Sequence, residues 1–515
     1  MQELPLGVHN FSMVRRDNLL YVDKTAHLCD LIANGRRYFL ARPRRFGKSM
    51  TLSTLEALFA GKEAYFTGLA AFATAHHIAA TPYPVLRFDM SSLGCASRQI
   101  LTESLKSMLV RKAKAWEIPL TTSLPNEMLC ETIEAIYKKY GSIVLLIDEY
   151  DKPILDAIPD EEKALCMRKI LRDFYTTIKS CDEYFRFIFI TGISKFSKIG
   201  LFSAMNNLLD ISLTEQYSDI VGYTQEEIES YFDERIQYIA RKKNISKDTI
   251  IDTLRTYYDG FSFDGKTKLY NPFSILSYFT TGELKNYWYE SASPSFIVHW
   301  LEAHGINEPD EYRHIQVESN FTSSQEIEQD NIPSFLFQSG YLTIEKKEDN
   351  LLTLDYPNRE VLDSISSLYL KLIYKIEQFA SLGHALWRAV DDADFTKIAE
   401  IYNSALCSIP YDDFAKNRNE FWYRSLFIML LRGAGILTYN EPHTSLGRAD
   451  VILDGKKHIL LLEFKFAKHS ANVLQKKEEG IAQIKDRKYV TAYSTGKKIV
   501  SHVFVADDEK RLLIS

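Results

Sequence analysis

Gly47, Lys48 and Ser49 in YFLARPRRFGKSMTL, and Asp148 and Glu149 in SIVLLIDEYD, are residue types suited to holding a polyphosphate. An apolar strand, a loop and a helix around Gly47 to Ser49 would place backbone N–H groups around phosphate oxygens. Lys48 would then meet the β/γ oxygens and the Ser49 hydroxyl would bind Mg²⁺. Gly47 is expected to allow close approach of the backbone to the phosphates. In the second stretch Asp148 would serve the magnesium, while Glu149 would orient or deprotonate the attacking water.

The first glycine of the GxxxxGK[ST] pattern is replaced by Arg42, followed by Pro43, Arg44 and Arg45. Either the arginines add charge near a triphosphate, with Arg42, Arg44 and Arg45 equal candidates, or they sit on a basic surface. The run RFIFITGISKFSK ends a further strand at Thr191, which is either a polar sensor of the γ-phosphate or a hydroxyl closing a strand end. Arg87, in PVLRFD, is either a finger acting on a neighbouring subunit or a salt-bridge partner. The nucleotide-contacting candidates are therefore Arg44, Arg45, Phe46, Gly47, Lys48, Ser49, Met50, Asp148 and Thr191, with Ser49 and Asp148 on the metal.

A second constellation lies near the C-terminus, in TSLGRADVILDGKKHILLLEFKF. Asp450 heads one strand and, beyond a DGKK turn, Glu463 and Lys465 share one face of the next. Two carboxylates on neighbouring strands can share a Mg²⁺ or Mn²⁺ ion, whose charge activates a water for attack on a phosphodiester. Lys465 would position or help deprotonate that water and offset the developing negative charge. Glu and Lys on a strand often decorate an exposed edge. In HILLLEFKF, however, they interrupt an apolar run, and a charge placed there needs a partner or a metal. Glu420, on a helix upstream, is placed to approach the same metal, and Gln483 and Lys485 downstream to touch its water or a phosphate. Each of these three also fits a solvated helix position.

The elements needed to position these groups are legible as apolar runs. Strands are expected at Arg37 to Ala41, Pro84 to Asp89, Ser142 to Ile147, Arg186 to Thr191 and Leu208 to Leu213. Helices are expected at Ser49 to Ala60, Ser97 to Trp116 and Glu161 to Lys179, an alternation that a mostly parallel α/β sheet requires. Thr224 followed by Glu227 reads as a capping box opening a mainly helical segment. YYDGFSFDGKTKLYNP must turn or form a hairpin, the stretch from Ala303 to Ile332 reads as linker, and Tyr341 to Glu345 with Leu351 to Asp355 reads as a hairpin.

These marks together resemble a bacterial family of AAA-ATPase-like proteins with a C-terminal PD-(D/E)XK nuclease domain. LPLGVHNFSMVRRDNLLYVDKT, RPRRFGKSMTL, LLIDEYDKP, FITGISKFSK, YYDGFSF, YNP, LDYPNREV, GRAD and EFK carry the likeness along almost the whole chain. The resemblance implies an α/β fold: a P-loop NTPase of the additional-strand type with a helical lid, plus a restriction-endonuclease-like α/β domain. The corresponding division is 1–220 for the ATPase, 221–301 for the lid, 302–375 for linker and hairpin, and 376–515 for the nuclease. It makes Arg42 ordinary at its position and matches Asp450, Glu463 and Lys465 to the nuclease motif, Glu420 to its helical carboxylate, and Ala449 to the proline of its name. ATP, Mg²⁺ and a nucleic acid substrate, DNA ahead of RNA, follow from it, as does a role in defence or mobile elements.

Composition sets the frame. The 515 residues are 46% apolar and 25% charged, average for soluble folded chains and too long for one ordinary core. A formal charge of −6 gives no overall attraction to nucleic acid, so local charge must provide it. Residues 451 to 515 hold 13 Lys and Arg against 8 Asp and Glu, and residues 1 to 50 hold 9 against 4. Six scattered cysteines without metal spacing, no signal peptide and no long apolar run point to a reduced, cytoplasmic protein. A homo-oligomer is compatible with this sequence, a ring-forming motor would need an arginine finger that it does not identify, and a non-catalytic ATP-holding switch is the alternative to a nuclease.

Overall fold

The computed structural model describes residues 1–157, 160–195, 207–292, 312–322, 332–372, 374, 376, 379–409, 418–436, 438–440, 443–444, 447–448, 450–455, 457–486 and 497–515. The chain forms two compact units, Met1–Phe296 with Tyr312–Glu360, and Ile297–Glu311 with Val361–Ser515. Among the described residues, no helix is long and apolar enough to cross a membrane.

The first unit is built on strands β1 (Arg37–Ala41), β2 (Val85–Asp89), β3 (Ile143–Asp148), β4 (Phe185–Gly192) and β5 (Leu209–Asp210). All pair in parallel in the order β2-β3-β4-β1-β5. β3 is buried at every residue, as a central strand covered on both faces must be. β4 lies between β1, which feeds the phosphate loop, and β3, which ends in Asp148; this inserted strand defines the additional-strand class. The expected fifth strand shrinks to Leu209–Asp210, paired with Tyr38 and Phe39.

Between β2 and β3 the chain forms not one helix but two, Arg98–Ala115 and Pro125–Tyr140. The second has Pro at its start and buries Met128, Leu129, Thr132, Ile133 and Ile136 at helical spacing. The capping box at Thr224 and Glu227 is formed in both directions. Tyr223 and Phe261 bridge antiparallel to Tyr270 and Leu269, so the YYDGFSF to YNP stretch folds back on itself. Part of the region read as linker is strand: β6 (Ile315–Glu318) pairs with β8 (Leu351–Asp355), which pairs with β7 (Thr343–Glu348). The alternating burial of Ile315 and Val317 is the signal for it. Residues 303–311 and 323–331 lie outside the described residues.

The second unit holds a five-stranded sheet ordered β15-β14-β13-β12-β9, with β9 at Thr438–Asn440, β12 at Val451–Asp454, β13 at His458–Ala467, β14 at Lys498–Asp507 and β15 at Leu512–Ile514. A two-stranded ribbon, β10 (His443–Thr444) with β11 (Gly447–Arg448), precedes it. β13 runs parallel to β14 and antiparallel to β12, and helices Glu420–Gly433 and Val473–Asp486 flank the sheet. Ala449 lies outside the described residues.

Gly480 decides how closely the second of these helices sits on the strands. A Cβ there would lie 2.6 Å from Val503 Cγ1, in a stiff β-branched side chain that cannot swing away. Gly480→Ala gains about 1 kcal/mol of helix propensity, but forcing a methyl into a packed contact costs about 1–3 kcal/mol. A net loss of stability is expected, measured as a lower urea midpoint; a raised midpoint would mean that the helix is not held at this distance.

Candidate functional sites

In the first unit β1 delivers the chain into the loop 42–47, and helix Lys48–Phe59 follows. Two residues there have left-handed backbone, Arg45 (φ 67°) and Gly47 (φ 102°). No protein atom would lie within 4 Å of a Cβ on Gly47, so its requirement within the protein is conformational. Lys48 is 5% exposed, and its Nζ donates to the carbonyls of Arg42 and Pro43, each at 2.8 Å. Burial pushes the Lys48 ammonium pKa down, against the pull of Glu149, Asp148 and Asp151.

Asp148 closes β3 and is 3% exposed. Its Oδ1 accepts from the Thr191 hydroxyl at 2.8 Å, and Arg87 NH2 lies 3.7 Å from its Oδ2. Glu149 follows with φ 49°, and burial raises its carboxyl pKa, Lys48 opposing. Arg44 to Thr51, Arg87, Asp148 and Glu149 line one cleft of about 470 Å³, within the range of small-molecule sites. Ser49 and Asp148 give it the hard oxygen donors that magnesium prefers, so the residues present fit Mg²⁺ together with a polyphosphate.

Two sequence expectations change. Thr191 is fully buried and is not part of the cleft wall; its hydroxyl is turned to Asp148. Arg42 is not part of the cleft wall either. It is 1% exposed and donates to the carbonyls of Ala41, Ser212, Tyr217 and Ser218 at 2.6–3.3 Å, with its guanidinium carbon 4.0 Å from the centre of the Phe263 ring. Burial pushes its pKa down to about 9. Arg42 is a clamp tying the phosphate loop to the segment after β5. Arg44 and Arg45 remain in the cleft wall, Arg45 over the Phe273 ring at 4.9 Å. Met50 also lines the cleft, while the Phe46 ring packs edge-on to Phe261 and Phe263.

Sequence reasoning missed the far wall. Pro5, Val8, His9, Leu20 and Tyr21 from the N-terminal segment line the cleft together with Val221, Phe273 and Leu276, and Leu20 packs in one cluster with Phe273 and Leu276, an apolar lining suited to a nucleobase. The segment is held by Phe11, whose amide donates to Ser53 Oγ at 2.9 Å. Burial and the Arg45 charge lower the His9 pKa, while Asp148 raises it. The Arg44 carbonyl accepts from Trp288 Nε1 at 3.2 Å and from Asn271 Nδ2 at 3.5 Å. Trp288 N in turn donates to the fully buried Glu360 at 2.8 Å, which also accepts from Ser274. The YNP and LDYPNREV marks are thus parts of one interlock behind the phosphate loop.

In the second unit, pairing of Val451 with Leu462 sets Asp450 beside Glu463. Asp450 Oδ2 accepts from Phe464 N at 2.8 Å, and its Oδ1 lies 3.0 Å from Arg424 NH1. Glu463 is 1% exposed, and Lys465 Nζ donates to its Oε1 at 2.9 Å. Glu420 opens helix Glu420–Gly433; burial raises its pKa, Lys465 and Arg424 lower it, Asp450 raises it, and the Phe466 backbone lowers it. Asp450 and Glu463 are therefore neighbours on adjacent strands with Lys465 beside them and Glu420 within electrostatic range, and Asp450 and Glu463 supply the oxygen donor type that a divalent ion takes. Gln483 is half-buried one turn beyond Gly480, which packs over Lys465, and Lys485 is exposed. Arg424 was missed, although it too breaks an apolar helical run.

The fold and the two sites define a P-loop ATPase-like unit joined to a nuclease-like unit. A family description, "Predicted AAA-ATPase", matches residues 5–202, and another, "PD-(D/E)XK nuclease superfamily", matches residues 418–515. A relative from Azotobacter chroococcum mcd 1, described as "Uncharacterized protein in vnfD 5'region", is 32% identical over 502 residues, 96% of this chain and 94% of that one. The chain belongs to the bacterial AAA-ATPase-like family with a C-terminal PD-(D/E)XK nuclease domain. Among solved structures, the Aeropyrum pernix ORC1 protein in complex with DNA is similar at 10% identity and TM-score 0.25, covering 84% of this chain and 88% of that one. The Aeropyrum pernix ORC2 protein is similar at 11% identity and TM-score 0.27, covering 67% and 91%.

The clamp geometry gives a direct test. Arg42→Ala removes the guanidinium from the Ser212, Tyr217 and Ser218 carbonyls, of which Tyr217 keeps only the long bond from Ile220 N, which is expected to cost about 3 kcal/mol of stability without any nucleotide. Chemical denaturation of the nucleotide-free protein measures it. Unchanged stability with weakened ATP binding would instead put the guanidinium at the phosphates.

Proposed function

We propose that the chain is an ATP-dependent, Mg²⁺-dependent nuclease that cleaves nucleic acid phosphodiesters, DNA ahead of RNA, in the cytoplasm. The observation that carries this reading is that Asp450, just before β12, lies beside Glu463 in the middle of β13, whose carboxylate accepts from Lys465, with Glu420 close enough to act on Asp450 and Lys465. Asp450 and Glu463 would hold the metal, which when bound supplies a Lewis acid and an activated water. Lys465 orients that water or takes its proton and neutralises charge on the attacked phosphate. Glu420 adds a third carboxylate beside Lys465, and Gln483 is the proposed contact to the water or a phosphate.

In the ATPase unit, Ser49 and Asp148 would hold the magnesium of the nucleotide. Lys48 exchanges its two loop carbonyls for phosphate oxygens, and Glu149 positions or deprotonates the attacking water. The base lies against the apolar lining of Val8, Leu20 and Phe273. Residues 1–220 and 221–301 are the proposed ATPase and lid, 302–375 the connecting region, and 376–515 the nuclease. Arg87 is engaged within its own chain, 3.0 Å from Glu56 and 3.7 Å from Asp148, so it lends no support to a ring-forming motor.

Asp450→Ala and Lys465→Ala are each expected to abolish cleavage of plasmid DNA in Mg²⁺ or Mn²⁺; cleavage persisting in both variants would reject the nuclease assignment. Glu149→Gln is expected to keep ATP binding and lose turnover by about 100-fold or more. A wild-type protein that binds ATP with no turnover to lose would instead be a nucleotide-holding switch.

A further inference from the structure

Helix Glu420–Gly433 brings a second charged side chain to the nuclease pocket. Arg424 stands one turn beyond Glu420 on the same face, is 8% exposed, and passes its guanidinium over the Phe421 ring at 5.6 Å. Both oxygens of Asp450 are already engaged. Oδ2 is held by a backbone amide of β13, which the strand fixes, and Oδ1 by Arg424, a side chain with rotatable bonds.

Charge balance explains why it would leave. Among the described residues, Asp450, Glu463 and Glu420 face Arg424 and Lys465, three carboxylates against two cations, while Glu479, which also acts on Lys465, is exposed and paired with Lys476. The pocket is near balance without metal, which a half-buried cluster requires. A divalent ion turns the single excess negative charge into a single excess positive one, matching one phosphodiester. Arg424 is then in competition with the ion for Asp450 Oδ1. Its planar fork of donors suits phosphate oxygens better than an ammonium does.

Resting on the nuclease reading above, we propose that Arg424 is the phosphate-binding arm of this site. It neutralises Asp450 in the metal-free protein and passes to the nucleic acid phosphate when the metal takes its place. The role differs from a fixed strut for Asp450, because a strut would be needed for metal binding and an arm would not.

The test uses the full chain without nucleotide. Mn²⁺ affinity is followed by electron paramagnetic resonance of the free ion, and affinity for a short labelled duplex is measured with Ca²⁺ as the metal. Asp450→Asn is expected to lose the Mn²⁺ site. Arg424→Gln is expected to bind Mn²⁺ at least as tightly as wild type and the duplex about tenfold more weakly, the scale of a lost charged hydrogen bond. Arg424→Lys should keep Mn²⁺ and lose less duplex affinity; if Arg424→Gln does not fold by circular dichroism, this variant decides by the same two readings. Weakened Mn²⁺ binding would make Arg424 a strut, and unchanged duplex affinity would remove it from the phosphate; either result overturns the proposal while leaving the nuclease reading intact. A wild-type chain with no Asp450-dependent Mn²⁺ site would overturn both.

Discussion

A charge taken out of water must be answered by another charge or by fixed dipoles, and both sites of this protein are organised by that requirement. Lys48 is nearly buried and is met by two carbonyls of its own loop. The two carbonyls take two of its three donors, and Glu149, Asp148 and Asp151 favour its charge against burial. Asp450 and Glu463 are held in the same way, by an arginine, a backbone amide and a lysine. Each site holds, at rest, at least one internal partner that a ligand would replace on the proposed reading.

The same requirement accounts for Arg42. Replacing the usual glycine with the largest cation would ruin a phosphate loop if the side chain turned inward. Here it turns out of the loop and donates to carbonyls of the segment after β5. The loop is held from the other side by Trp288 and Asn271 through the Arg44 carbonyl. Its shape is therefore fixed by packing and hydrogen bonds, which relieves the loop of dependence on a first glycine.

The strands and the two acidic motifs were legible because their signals are local: an apolar run ending in Asp148, or an apolar strand broken by Glu463 and Lys465. The rule that exposed the latter pair would also have exposed Arg424, which interrupts EFWYRSLFIMLL. Less legible were features set by tertiary contact. Nothing in PLGVHNF indicates that it returns to wall the cleft, since the apolar residues involved are too few to show a period. Thr191 has the same text whether its hydroxyl faces a ligand or Asp148, and only the position of β4 beside β3 decides it. The helix Pro125–Tyr140 had a readable period, whereas β6 is too short at four residues to stand out from its polar surroundings.

The central claim is that one chain carries two pockets for divalent ions, one completed by a nucleotide and one independent of it. Counting bound Mn²⁺ by equilibrium dialysis and elemental analysis, with and without a non-hydrolysable ATP analogue, tests it most directly. The account predicts one ion per chain without the analogue and two with it. No bound ion without nucleotide, or no increase when the analogue is added, would contradict it.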